Sequence, residues 1–183
     1  GKVAAMGNMV NHLEVGQYVG LGWRARSCLV CDQCLSGHHN RCLKGEDVII
    51  GRHGGYADKV RCQALFAFPL PNNINIKNAG PLFCGGITVF NPIIHNNIKP
   101  TDHVAVVGIG GLGHIAIKFL NAWGSEVTAI STNPEKEKEA QEFGADHFIN
   151  SKISDALKPY TNNFDMVLVT ANVDLDWDKY IDT

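Results

Sequence analysis

Residues 103–124 read HVAVVGIGGLGHIAIKFLNAWG, and the fold turns on this stretch. HVAVV is a valine-rich apolar run, the pattern of a strand buried on both faces. Gly108, Gly110 and Gly113 then stand in the spacing G-x-G-x-x-G. From His114 to Trp123 the apolar residues recur with helical periodicity. A bare G-x-G-x-x-G carries little information, but one that follows a strand and opens a helix is a dinucleotide-binding signature. Gly108 permits the tight turn, Gly110 lets backbone approach a pyrophosphate, and Gly113 lets helix and strand pack closely. Ile109, Gly111 and Leu112 complete the turn, and the free N–H groups of the helix start attract anions. The plainer alternative is a glycine-rich turn without a ligand.

Downstream the pattern repeats. EVTAIS (126–131) reads as a second strand and PEKEKEAQEFG (134–144) as a helix with Pro at its start and Gly at its end. DHFIN (146–150) is a short third strand, SDALKPY (154–160) a weak helix, and FDMVLVT (164–170) a fourth strand. Strands alternating with helices predict a parallel sheet with crossovers, the doubly wound Rossmann-type plan. An NAD site carries Asp or Glu near the end of the second strand to hold the ribose hydroxyls. Here that place is taken by Ser131, followed by Thr132 and Asn133, with Lys136 one turn into the helix. Neutral donors and a cation suit the 2′-phosphate of NADP(H). Lys136 alone also fits a solvated helix face, since Glu135, Glu137, Lys138 and Glu139 surround it.

Upstream, SCLVCDQCLSGHHNRC (27–42) places Cys28, Cys31, Cys34 and Cys42 in fifteen positions. Thiolates at this spacing in a loop can converge on one tetrahedral zinc ion, forming a closed structural site. Disulfides would need strained short loops, and a redox pair needs two thiols, not four. His38 and His39 are rival ligands in principle. Four thiolates already fill a tetrahedron, so exposed loop histidines are the simpler expectation. Around this lobe, KVAAMG (2–7), YVGLGW (18–23) and GYADKVRC (55–62) read as short strands separated by turns, predicting a β-rich, barrel-like half. Cys62 falls in the last of these as a structural thiol. FPLPNN (68–73) is a break, and IKNAGPLFCGGITVFNPIIHN (76–96) reads as one helix with Gly85 and Gly86 in its middle. In that helix Cys84 reads as a buried thiol.

The 183 residues carry 45% hydrophobic and 19% charged residues and a net charge of −2. That suits a globular protein with a real core and argues against nucleic acid or an anionic membrane as partner. No apolar run reaches the ~18 residues of a membrane helix. The chain opens on a strand-like segment without Met or a basic-then-apolar leader, and DWDKYIDT ends abruptly. These features predict a cytoplasmic protein of which this is a piece.

A four-cysteine lobe in a β-rich half, followed by a nucleotide-binding fold, resembles the zinc-dependent medium-chain alcohol dehydrogenases. CGGITVF (84–90), GIGGLGHIAIK (108–118), STNPEK (131–136), VGLGW (19–23) and LDW (175–177) make it similar to their cinnamyl-alcohol-dehydrogenase-like branch, which includes NADPH-dependent aldehyde reductases. The resemblance implies a partial GroES-like catalytic domain at 1–83, with the zinc lobe at 27–43, and a partial NADP-binding Rossmann domain at 84–183. It implies structural zinc on Cys28, Cys31, Cys34 and Cys42, and Cys84 as one ligand of a catalytic zinc. It places Thr88 against the nicotinamide, residues 108–113 at the pyrophosphate, Ser131 to Lys136 at the 2′-phosphate, and Thr170 at a cofactor contact. The remaining catalytic-zinc ligands and the proton relay of the family match no position here. The implied activity is hydride transfer between NADPH and aldehydes or primary alcohols, by a homodimer when full length. Its rivals are a non-catalytic nucleotide-binding, redox-sensing module, which the cysteine lobe disfavours, and a zinc-ribbon interaction module, which the glycine turn disfavours. Trp23, His53 and His95 could line a substrate pocket but read more simply as packing or surface residues.

Overall fold

A computed structural model describes residues 1–183, which divide into two compact units, Gly1–Cys84 and Gly85–Thr183. The first unit holds strands β1 (Val19–Leu21) and β2 (Arg24–Arg26), the short helix α1 (Asp32–Leu35), and strands β3 (Glu46–Asp47) and β4 (Ala67–Pro69). β1 pairs antiparallel with β4, and β2 with β3. The break expected at residues 68–73 therefore begins late, because Phe68 and Pro69 belong to β4. Proline fits there since β4 is an edge strand with one neighbour. Two expected strands do not form. KVAAMG contributes a single bridge, Lys2 to Tyr18, and GYADKVRC forms no strand at all. Alternation marks a segment able to pair, but a strand exists only where a neighbour accepts its backbone hydrogen bonds. Cys62 thus lies in irregular chain, half-buried, and burial pushes its thiol up.

The second unit runs α2 (Gly85–His95), β5 (His103–Val107), α3 (Gly113–Trp123), β6 (Glu126–Ser131), α4 (Lys136–Phe143), β7 (His147–Asn150), β8 (Met166–Val169) and α5 (Trp177–Ile181). Its four strands form one parallel sheet in the order β7-β6-β5-β8. These are four strands of a doubly wound sheet, with the order reversing between β5 and β8. Alternate residues of β5 serve two cores. Val104 and Val106 pack with Val89, Ile93, Ile117 and Leu120, while Ala105 and Val107 pack with Ile130, Ile149 and Leu157. Covering both faces explains the unbroken apolar run of residues 104–107.

The weak helix expected at 154–160 is only a 3-10 turn, Lys158–Tyr160. The single helix expected at 76–96 is two pieces: a 3-10 turn at Gly80–Phe83, then α2. Gly85 and Gly86 open α2 rather than interrupt it, and the break falls on Cys84, whose φ of −128° and ψ of −75° are not helical. The thiol expected to be buried is consequently exposed. Pro92 sits inside α2, and lacking an N–H it leaves the carbonyl of Thr88 without its helical donor. No helix is long and apolar enough to cross a membrane.

Candidate metal centre and nucleotide site

The lobe gathers its four thiols by local geometry. Cys28 follows β2. Leu29 takes φ +64°, a left-handed conformation that costs a leucine about 1 kcal/mol. This turn folds the chain back so that Cys31 reaches the start of α1 and Cys34 its third position. A 3-10 turn at His39–Arg41 then returns Cys42, whose Sγ accepts the Cys28 backbone N–H at 3.4 Å. The four sulfurs all lie within 4.8 Å of one another, and no other group of three or more His, Cys, Asp or Glu side chains converges in this way. Cys28 and Cys34 Sγ are 3.9 Å apart. Sulfurs ~2.3 Å from one tetrahedral ion would sit ~3.8 Å apart, whereas a disulfide requires ~2.05 Å. All six cysteines are free. The donor set therefore fits a zinc ion and not a pair of disulfides.

The electrostatics point the same way. Burial alone would push the Cys34 thiol up, but hydrogen bonds from Ser27 and His39 and its neighbouring thiols bring it down to about 5. The Cys34 backbone N–H favours the Cys31 thiolate, yet the adjacent Cys28 thiol and burial drive Cys31 up to about 11. Such spreading follows from thiols packed closely enough to hydrogen-bond one another, so that one is held ionised at the expense of its neighbour. Ser27 is fully buried; its backbone N–H donates to Gln63 Oε1 at 3.0 Å, and its hydroxyl meets His39 Nδ1 at 3.1 Å. His39 also stands edge-on to Phe66. The expectation of two exposed loop histidines thus holds for His38 and fails for His39, which is wedged beside the thiols. Neither Ser27 nor His39 was singled out by spacing as a support for the cluster. The signal was weak: a serine next to the first cysteine and a histidine three before the last.

In the second unit the glycine turn joins β5 to α3 at the carboxyl edge of the sheet, where the strand order reverses. That is where open α/β sheets bind ligands. Gly108 has φ +90°. A Cβ on Gly113 would lie 1.8 Å from the Gly108 carbonyl oxygen. A Cβ on Gly110 would meet nothing within 4 Å. Gly108 and Gly113 are therefore glycines for the fold, whereas the space over Gly110 is open, as a cradle for a pyrophosphate requires. Ile109 is buried in the core, and Leu112 packs against it. A Cβ on Gly111 would likewise meet nothing within 4 Å. Thr170 follows β8, and its hydroxyl donates to the carbonyls of Val107 and Gly108 at 3.0 and 2.8 Å. It clamps the turn to the neighbouring strand. Thr88 and Cys84 are exposed, as are Trp23, His53 and His95.

At the end of β6, Ser131 Oγ accepts the Asn133 N–H at 3.1 Å, and Asn133 Oδ1 accepts the Glu135 N–H at 3.0 Å. These bonds occupy acceptors and leave the Ser131 O–H and the Asn133 NH₂ free to donate. Thr132 is exposed beside them. Lys136 opens α4 and borders a cleft of about 290 Å³ together with Ile109, Gly110, His114, Glu139 and Phe143. The glycine turn and Lys136 thus share one cleft.

Comparison with known proteins decides the family. Residues 1–72 match the alcohol dehydrogenase GroES-like domain and residues 111–183 the zinc-binding dehydrogenase domain. The chain belongs to the zinc-binding alcohol dehydrogenase family. Among these dehydrogenases it is 50% identical over 183 residues to the aldehyde reductase AdhA of Synechocystis, covering 100% of this chain and 54% of that protein. It is 37% identical to the NADP-dependent alcohol dehydrogenase 6 of Saccharomyces cerevisiae, covering 97% of this chain and 52% of that one. The solved cinnamyl alcohol dehydrogenase of Sorghum bicolor superposes with a TM-score of 0.91 at 32% identity, over 99% of this chain and 54% of the other. The chain spans about half the length of the relatives it matches. Its architecture is that of the family's GroES-like and Rossmann-type domains, with the family's β-rich half represented here by short paired strands.

Proposed function

We propose that these residues form the structural-zinc lobe and the adenosine-side cofactor site of an NADPH-dependent oxidoreductase that interconverts aldehydes and primary alcohols. The observation that carries the reading is the shared cleft. The glycine turn and the Lys136 ammonium border one cleft, and Ser131 and Asn133 offer free donors in the turn that leads to Lys136, with no carboxylate at the end of β6. The names of the relatives support it, since one is an aldehyde reductase and another is NADP-dependent.

When bound, the nicotinamide supplies hydride and a catalytic zinc supplies Lewis acidity toward a carbonyl. The chain's own residues do the positioning. The N–H groups of Ile109 to Gly113 would receive the pyrophosphate, Ser131, Thr132, Asn133 and Lys136 the 2′-phosphate, and Thr88 the nicotinamide side. Thr170 holds the turn in shape. Cys28, Cys31, Cys34 and Cys42 would hold the structural zinc. Cys84 is a single exposed thiol, and a catalytic zinc needs about three protein ligands. Turnover is therefore the property of a protein in which further ligands join Cys84.

The test is cofactor binding. A charge-assisted contact to phosphate contributes roughly 1.5–3 kcal/mol, so Lys136→Ala should weaken NADPH by about tenfold or more and leave NADH nearly unchanged. Ser131→Asp should reverse the preference by repelling the phosphate. Equal losses for both cofactors in Lys136→Ala would rule the pocket out.

A further inference from the structure

Lys136 is not free. Its Nζ is paired with Glu139 Oε2, three residues along α4. The Glu139 carboxylate has no other hydrogen bond or ion pair. The remaining acids around Lys136, Glu135, Glu137 and Glu142, make no contact with its ammonium, and only Glu139 borders the cleft with it. The pair is half-exposed, 38% and 42% by side chain, so it is a weak, salt-screened and reversible contact.

We propose that Glu139 is a specificity-determining latch, an internal carboxylate that stands in for the cofactor's phosphate on Lys136 and lowers the discrimination between 2′-phosphorylated and plain adenosine nucleotides. This rests on Lys136 being the 2′-phosphate ligand. The physical argument is competition for one cation. A 2′-phosphate dianion in the cleft requires the ammonium that Glu139 holds, and carboxylate and phosphate repel at such range. Entry of the phosphate therefore breaks the Lys136–Glu139 pair and turns the carboxylate away. A nucleotide with a free 2′-hydroxyl makes no such demand and binds with the latch closed. Glu139 thus reduces the ratio of the two affinities below what Lys136, Ser131 and Asn133 would give unopposed.

The experiment is a double-mutant cycle on the whole chain, read by calorimetric titration with adenosine 2′,5′-bisphosphate and with adenosine 5′-monophosphate. These probes need only the adenosine side of the site. Glu139→Gln, an exposed and nearly isosteric change, should raise the ratio of bisphosphate to monophosphate affinity by about threefold to tenfold, the range expected for releasing one surface ion pair and one repulsion. Lys136→Ala should collapse the ratio by about tenfold or more. In the Lys136→Ala background, Glu139→Gln should give a clearly smaller gain, that of the repulsion alone, because no ammonium is left to release. The gain in the wild-type background should also shrink at high salt. An equal gain in both backgrounds would show simple repulsion and overturn the latch. No gain on Glu139→Gln, with the ratio still collapsing in Lys136→Ala, would overturn the latch and leave the NADPH reading standing. An unchanged ratio in Lys136→Ala would overturn both.

Discussion

Two glycines three positions apart should respond in opposite ways to the same methyl group. In Gly113→Ala the new Cβ would fall 1.8 Å from the Gly108 carbonyl oxygen, 2.9 Å from its carbon and 3.0 Å from Thr170 Oγ1. A carbon needs about 3.4 Å from a backbone oxygen, so α3 must move off β5 by roughly 1.5 Å, and neither neighbour is a flexible side-chain end. Overpacking of this kind costs about 1–3 kcal/mol. The shift also disturbs the Thr170 hydroxyl bonds to Val107 and Gly108, at about 1 kcal/mol. A total near 3 kcal/mol corresponds to a fall in Tm of about 6–12 °C for a chain of this size. In Gly110→Ala the methyl enters open space at a backbone angle that alanine accepts, so stability should stay within about 0.5 kcal/mol of wild type. Its cost should appear instead in NADPH affinity, because the methyl fills the cradle where the pyrophosphate must approach. Urea unfolding followed by circular dichroism, with NADPH titration on the same samples, separates the two. A Gly110→Ala variant destabilised as much as Gly113→Ala, with unaltered cofactor affinity, would refute the division of the turn into fold glycines and a ligand glycine.

Other outcomes follow from the lobe and its surroundings. Metal analysis of the 183-residue chain should find about one zinc, retained in Cys84→Ser and lost with a cooperative drop in stability in Cys31→Ser. Ser27→Ala should weaken zinc retention against a chelator by about tenfold, because it removes the buried hydroxyl that orients His39 and Cys34. Glu46 is held below its ordinary 4.5 first by the hydrogen bond from Arg52 and then by Arg26. Its contribution is present above pH 4.5 and lost as pH falls through the lower folded value, and Arg52→Gln should move the Glu46 titration seen by NMR back up.

What the sequence revealed tracks how local the cause was. The central strands β5 and β6 of the second unit were legible because both their faces are covered and their middles are apolar, and because the helices α3 and α4 with marked ends follow them. The edge strands β7 and β8 were legible only as short apolar-rich runs, with a 3-10 turn and no helix between them. GYADKVRC misled because its alternation is a permission to pair, and pairing depends on a neighbour that local pattern does not name. The continuous helix expected over 76–96 failed at Cys84 because apolar periodicity persists across a break that only the backbone angles reveal. The convergence of the first three cysteines was legible from their two-residue gaps, whereas Cys42 joins them only through the 3-10 turn at His39–Arg41. The supports of the cage were not legible, because Ser27 meets His39 only after α1 and the 3-10 turn have folded back.

The proposed 2′-phosphate preference depends on a property that residue names do not carry. Serine and asparagine each offer donors and acceptors, so as residue types they would suit a ribose hydroxyl as well as a phosphate. The turn after β6 narrows the ambiguity. Backbone N–H groups of Asn133 and Glu135 each take one lone pair of the Ser131 and Asn133 oxygens, and the Ser131 O–H and Asn133 NH₂ remain to donate to a ligand. On the proposed reading those donors, with the Lys136 ammonium on the same turn, suit an anion lacking protons of its own better than a hydroxyl. Glu139 is the exception in the cleft: it carries a full negative charge there, and Lys136 pairs with it. On the proposed reading, anion selectivity at this site would be set jointly by the donors that the turn leaves free and by the carboxylate that competes for the cation.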